Sequence, residues 1–129
     1  MDKAVIGVVG TGLMGVGIAT QSALHGHRTI VHDVDPARLA SVAPKAEAVL
    51  DELIDAGRID QVAKQAALTR IETHAQLDVM ASARFVIEAI PEVLELKHRL
   101  YAALSALLAD DAILASTGLT TSLLRCRKR

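Results

Sequence analysis

The stretch from Ala4 to Leu24, AVIGVVGTGLMGVGIATQSAL, decides the fold of this 129-residue chain. Its first part is apolar and predicts a buried strand, whereas Leu13 to Leu24 predicts a helix. Between them lie Gly10, Gly12 and Gly15 at the spacing G-x-G-x-x-G. Glycines at these positions permit a tight bend, a close approach to the backbone and close helix–strand packing, so that amides and a helix N-terminus can face a pyrophosphate. The stretch therefore predicts a dinucleotide site.

The same stretch could also indicate a signal peptide or a membrane span, because it is uncharged and follows Lys3. Two observations favour the nucleotide turn. The glycines fall where that turn requires them, and no small-residue cleavage site follows. We therefore expect no membrane segment.

The composition predicts a single domain with an aliphatic core, since Phe85 and Tyr101 are the only aromatic residues. The formal net charge is −1, and four cations fall in the last five residues, so the remainder is mildly acidic. The chain thus offers neither a basic face nor an aromatic platform for nucleic acid. Cys126 is the only cysteine, which excludes an internal disulfide and favours a cytoplasmic location.

Strand and helix patterns alternate along the chain. The strands are predicted at 4–9, 29–32, 68–72, 84–90 and 112–115, and the helices at 13–24, 36–56, 60–67, 74–81 and 92–109. Pro44 lies inside the second helical region, which is therefore either kinked there or split in two. This alternation predicts an α/β fold with a Rossmann-type doubly wound parallel sheet of order 3-2-1-4-5. Its crevice would lie at the carboxyl ends of strands one and four.

An acidic residue, Asp33, ends the predicted second strand, 18 residues after Gly15. A carboxylate at that point accepts hydrogen bonds from the adenosine ribose hydroxyls and repels a 2′-phosphate, which favours NAD over NADP. The alternative interpretation is that the glycines only make a tight turn and that Asp33 begins an Asx turn with Asp35.

Four motifs in this chain resemble those of one known family. The segments resemble the NAD-binding domain of the L-3-hydroxyacyl-CoA dehydrogenases, including the bacterial 3-hydroxybutyryl-CoA enzymes, and the likeness extends to about Ser116. Beta-hydroxyacid dehydrogenases have a similar glycine turn but lack the run from Glu88 to Lys97. The four motifs are GTGLMGVGIA (10–19), HDVDPARL (32–39), FVIEAIPEVLELK (85–97) and ILAS (113–116).

The resemblance implies NAD as cofactor and hydride transfer between NAD and C3 of a 3-hydroxyacyl-CoA. It implies that Glu92 and Lys97 lie near the nicotinamide half; alternatively, Glu92 complements a helix N-terminus and Lys97 is a surface charge. No acidic residue lies three or four positions from Lys97, so a local ion pair does not explain it. The candidate cofactor-binding residues are Gly10, Thr11, Gly12, Leu13, Met14, Gly15, Asp33, Ala89, Ile90, Glu92, Lys97 and Thr117.

The C-terminal part departs from the family pattern. The family continues after its fifth strand with Asn-Thr-Ser-Ser, whereas Ser116 is followed here by Thr117, Gly118 and Leu119. Thr117 or Ser122 could take the role of the family's serine, or the hydroxyls could form only a turn. We predict an NAD-binding domain over 1–116 and an atypical tail over 117–129.

The family's catalytic histidine and helical C-terminal domain are expected to be absent from this chain, so we predict cofactor binding without turnover and acyl-CoA binding only in a complete enzyme. No spacing of residues predicts a metal site. The alternatives are a non-catalytic NAD-binding or interaction module, which could be a homo-oligomer, and a beta-hydroxyacid dehydrogenase fragment. No histidine is expected to act as general base, whether His25, His27, His32, His74 or His98.

Overall fold

The computed structural model describes residues 3–118. The strands in this range are β1 (Ile6–Val9), β2 (Thr29–His32), β3 (Ile71–His74), β4 (Phe85–Glu88) and β5 (Ile113–Ser116). The α-helices are α1 (Leu13–Leu24), α2 (Pro36–Ala40), α3 (Val42–Asp55), α4 (Gln61–Arg70) and α5 (Leu94–Leu107), with a 3₁₀ helix at Leu77–Ser82.

The five strands form one parallel sheet of order β3-β2-β1-β4-β5, which confirms the predicted Rossmann-type doubly wound fold. One core cluster includes Val16 of α1 and Ala46 of α3. A second includes Met80 of the 3₁₀ helix and Leu104 of α5. The chain moves from the β2 side of β1 to the β4 side, which leaves a crevice at the carboxyl ends of β1 and β4.

The predicted helix over 36–56 is split in two, with the break at Ser41. Pro44 is the third residue of α3, where a backbone N–H would have no helical partner in any case. The structure therefore has the predicted split rather than the kink. The split places Pro44 in the first turn of α3, where proline is tolerated.

The third strand and its neighbours differ from the prediction. Of the residues predicted as the strand 68–72, the first three belong to α4, which continues to Arg70. The helix extends this far because Arg70 Nη1 donates to Ala23 O (2.9 Å) and Leu68 packs against the core of α1 and α3. The strand begins at Ile71 instead. The predicted helix over 74–81 is the 3₁₀ helix, and His74 closes β3.

β4, α5 and β5 each lie within two residues of their predicted bounds. Because α5 begins at Leu94, Glu92 precedes the helix rather than starting it. The predicted boundary at 116 falls at the last residue of β5, while Ser122 and the rest of 119–129 lie outside the described residues, so the boundary and the tail remain predictions. No helix within 3–118 is long and apolar enough to cross a membrane.

Candidate functional site

A cavity of about 710 Å³ opens at the carboxyl ends of β1, β2 and β4. It lies where the strand order reverses, which is the ligand position of open α/β sheets. Six of the twelve candidate residues line it, and these come from the glycine turn, the end of β2 and the end of β4: Gly10, Thr11, Gly12, Asp33, Ala89 and Ile90.

The three glycines of the turn have different surroundings. Gly10 has φ +116°, which L side chains rarely adopt, and a Cβ there would overlap Ala89 O. A Cβ on Gly15 would lie 2.5 Å from Gly10 O. A Cβ on Gly12 would meet no atom within 4 Å, and Gly12 lines the cavity. Gly10 and Gly15 are thus required for packing, whereas Gly12 leaves room for a ligand.

Helix α1 begins directly after this turn. Gly12 is the N-cap, no side chain caps the helix, and the first turn holds no acidic residue. The first helical hydrogen bond joins Val16 N to Gly12 O (3.0 Å), so the amides of Leu13, Met14 and Gly15 lie ahead of it. These amides and the positive end of the helix dipole form a site suited to an anion.

Asp33 is buried and held at both carboxylate oxygens. Thr11 Oγ1 donates to its Oδ2 (2.9 Å), and Asp35 N donates to its Oδ1 (3.0 Å). The second contact is the Asx turn of the alternative interpretation. The same carboxylate also lines the cavity, so the turn and a role in ligand binding are compatible.

Two cations that the sequence analysis did not identify also line the cavity, Arg38 of α2 and Lys45 of α3. Lys45 Nζ donates to Thr11 O (2.8 Å) and so ties α3 to the glycine turn. The helical pattern could not identify Lys45, because its position says nothing about contact with a turn 34 residues earlier.

The remaining six candidates do not line the cavity. Leu13 and Met14 are exposed beside it and Gly15 packs beneath the turn. Lys97 is only 1% exposed, so the interpretation of Lys97 as a surface charge is wrong. It forms ion pairs with Glu92 (2.8 Å) and Glu88 (3.2 Å), which lie outside the three- and four-residue spacing that was considered. Thr117 N donates to Glu88 O (3.0 Å) at the end of β4.

The ionisation of the Glu88–Lys97 pair follows from these contacts. Burial acts to raise the pKa of Glu88, but hydrogen bonds from Tyr101, Ile90 N, Ser116 and Lys97 outweigh it, so the pKa lies below its ordinary value. Burial acts to lower the pKa of Lys97, but its bonds to the two glutamates leave the pKa raised. Both groups are therefore charged at neutral pH.

Of the five histidines, all within residues 3–118, His32 alone lines the cavity, at the end of β2. Its Nδ1 is within hydrogen-bond distance of His74 O (3.1 Å). Among residues 3–118, no group of three or more His, Cys, Asp or Glu side chains could hold a metal ion.

Comparison with known proteins identifies the family. The sequence profile described as "3-hydroxyacyl-CoA dehydrogenase, NAD binding domain" matches residues 5–128. The chain belongs to this family. It is accordingly an NAD-binding domain of the 3-hydroxyacyl-CoA dehydrogenases, as the four motifs indicated.

Similar proteins carry related names. The 3-hydroxybutyryl-CoA dehydrogenase of Bradyrhizobium diazoefficiens is 35% identical over 120 residues, which are 93% of this chain and 41% of that protein. The 3-hydroxyadipyl-CoA dehydrogenase of Escherichia coli K12 is 30% identical over 111 residues, or 86% of this chain and 23% of that protein. The crystal structure of 3-hydroxybutyryl-CoA dehydrogenase from Escherichia coli K12 has a TM-score of 0.88 at 28% identity, covering 95% of this chain and 26% of the other. The chain thus spans less than half the length of these family members.

Proposed function

We propose that this chain holds the NAD of a 3-hydroxyacyl-CoA dehydrogenase in the crevice between β1, β2 and β4. The observation that carries the proposal is the open space at Gly12, beside the uncapped N-terminus of α1. A pyrophosphate placed there would accept hydrogen bonds from the amides of Leu13 and Met14.

The residues that line the cavity suit a dinucleotide. Asp33 lies at its β2 side and would bind the adenosine ribose, while Ala89 and Ile90 form its small apolar wall at β4. A 2′-phosphate would face the Asp33 carboxylate, so we propose NAD rather than NADP as the preferred cofactor. Arg38 also lines the cavity, but it is exposed and its Nε lies 3.8 Å from Asp35 Oδ2, whereas Asp33 is buried, where charge is screened less by solvent.

In the proposed reaction, NAD supplies the hydride acceptor for oxidation at C3 of a 3-hydroxyacyl-CoA. The part of this chain is to bind and orient the cofactor. Glu92, Lys97 and Thr117 lie at the ends of β4 and β5, on the side opposite Asp33, and we propose that they form the nicotinamide half of the site. Membership of the family supports this assignment.

Isothermal titration of NAD and of NADP into the protein tests the proposal. We expect saturable binding of NAD and at least about tenfold weaker binding of NADP, since like charges would meet at Asp33. The Asp33→Asn variant should bind NAD less tightly and lose most of that discrimination. Glu52→Gln is a matched control, because it removes a carboxylate from an exposed position on α3 outside the cavity. A folded wild-type protein that does not bind NAD would refute the proposal.

We also propose a homo-oligomer and a cytoplasmic location. Exposed apolar side chains at or beside the cavity, among them Leu13 and Val93, support a contact between chains. The single cysteine supports a reducing compartment. Sedimentation velocity at several protein concentrations tests the first point, and a sedimentation coefficient that is constant across them and fits a monomer would contradict it.

A further inference from the structure

The carboxylate of Glu88 has no task in the proposed function, although it is fully buried at the carboxyl end of β4. Buried ion pairs are weak contributors to stability, and apolar residues of similar size often replace them without loss. A structural need alone therefore gives little reason for a glutamate at this point.

The groups that donate to Glu88 come from three separate segments of the chain. Tyr101 OH (2.7 Å) comes from α5 and Ser116 Oγ (2.9 Å) from the end of β5. Ile90 N (2.9 Å) comes from the loop after β4, and Lys97 Nζ of α5 lies 3.2 Å from Glu88 Oε1. One carboxylate thus fixes the relative positions of the β4 loop, α5 and the end of β5.

The charged end of Lys97 is held in one place by this arrangement. Its Nζ lies between Glu88 and Glu92, and the backbone of Gly118 packs so closely on the Glu92–Lys97 pair that a Cβ there would overlap both side chains. The chain after β5 therefore rests directly on a pair of side chains that Glu88 orients.

We propose that Glu88 is a positioning residue for the nicotinamide half of the cofactor site. The inference rests on the proposed function, which places the adenosine half at Asp33 on the β2 side. A dinucleotide crosses the carboxyl edge of such a sheet from one side of the reversal point to the other. Its second half therefore lies over the ends of β4 and β5, where Glu88 orders Ile90, Lys97 and Ser116.

Comparing NAD with ADP tests this inference, because ADP lacks the nicotinamide and the ribose that carries it. Glu88→Gln keeps the shape of the side chain but presents an amide to donors that a carboxylate had satisfied. By calorimetry we expect the Kd for NAD to rise about tenfold and the Kd for ADP to stay within about twofold of wild type. A general loss of structure would weaken both ligands alike.

Two further variants keep the test decisive. Tyr101→Phe removes one donor to Glu88 while the carboxylate remains charged, and should raise the Kd for NAD about threefold without affecting the Kd for ADP. Glu95→Gln is the control, because Glu95 is exposed on the same helix and pairs with Arg99 (2.8 Å). It should affect neither ligand. If Glu88→Gln does not fold, the Tyr101→Phe variant decides.

The outcomes separate the two proposals. If the wild-type protein binds neither ligand, the proposed function itself fails. If the wild-type protein binds both, and Glu88→Gln and Tyr101→Phe shift both ligands in parallel or shift neither, the positioning role of Glu88 is overturned.

Discussion

Substituting alanine at Gly12 and at Gly15 should separate ligand binding from folding. A Cβ at Gly15 would lie 2.5 Å from Gly10 O, well inside van der Waals distance, and Gly10 O belongs to the backbone, which cannot swing aside. Overpacking of this kind typically costs about 2 kcal/mol, which corresponds to a fall in Tm of about 8 °C for a domain of this size. Gly12→Ala meets no atom within 4 Å and has φ −68°, so its free energy of unfolding should change by less than about 1 kcal/mol.

For NAD binding the two substitutions should rank in the opposite order, with Gly12→Ala having the larger effect. The methyl group at position 12 would occupy the space proposed for the pyrophosphate, and the Kd for NAD should rise at least about tenfold, or about 1.4 kcal/mol. Thermal unfolding measures the change in Tm, and calorimetry measures the Kd for NAD. A Gly12→Ala protein that binds NAD as tightly as wild type, or a Gly15→Ala protein with an unchanged Tm, would refute the reasoning.

Three further perturbations test contacts around the site. Thr11→Val removes the 2.9 Å hydrogen bond to Asp33 and should raise the Kd for NAD about threefold by calorimetry. Lys45→Met removes the 2.8 Å bond to Thr11 O and a nearby positive charge, and should raise that Kd about fivefold at low salt and less at high salt. The lowered pKa of Glu88 means that its ionised form is favoured by folding, so its contribution to stability is present above pH 4.5 and is lost as the pH falls through the native pKa. Urea unfolding at a series of pH values should show this loss in wild type and a shallower pH dependence in Glu88→Gln.

The fold could be predicted from the sequence because its determinants are local. The apolar runs of β1 and β4 and the glycine turn specify their own conformations, and right-handed crossovers leave few strand orders. The bounds of β3 differ from the prediction because Leu68 is compatible with both a helix and a strand. Which of the two it forms depends on a hydrogen bond from Arg70 to Ala23 O across the fold.

The lining of the candidate site could be predicted only in part, for a similar reason. Asp33 and the glycines belong to a motif with fixed spacing, whereas Lys45 reaches the turn from a helix with no such spacing. The burial of Lys97 was also missed, because its partner Glu88 lies nine residues earlier, at the end of a strand. Contacts between a strand end and a helix depend on how the two pack, which periodicity within one element does not report.

The double anchoring of Asp33 has a thermodynamic consequence. Its rotamer is fixed by Thr11 and by the Asp35 amide during folding, so the loss of side-chain entropy does not fall on the binding step. A carboxylate has about four acceptor positions, and these two bonds use one on each oxygen. A preorganised acceptor thus remains on each oxygen, which matches the pair of vicinal hydroxyls that a ribose presents.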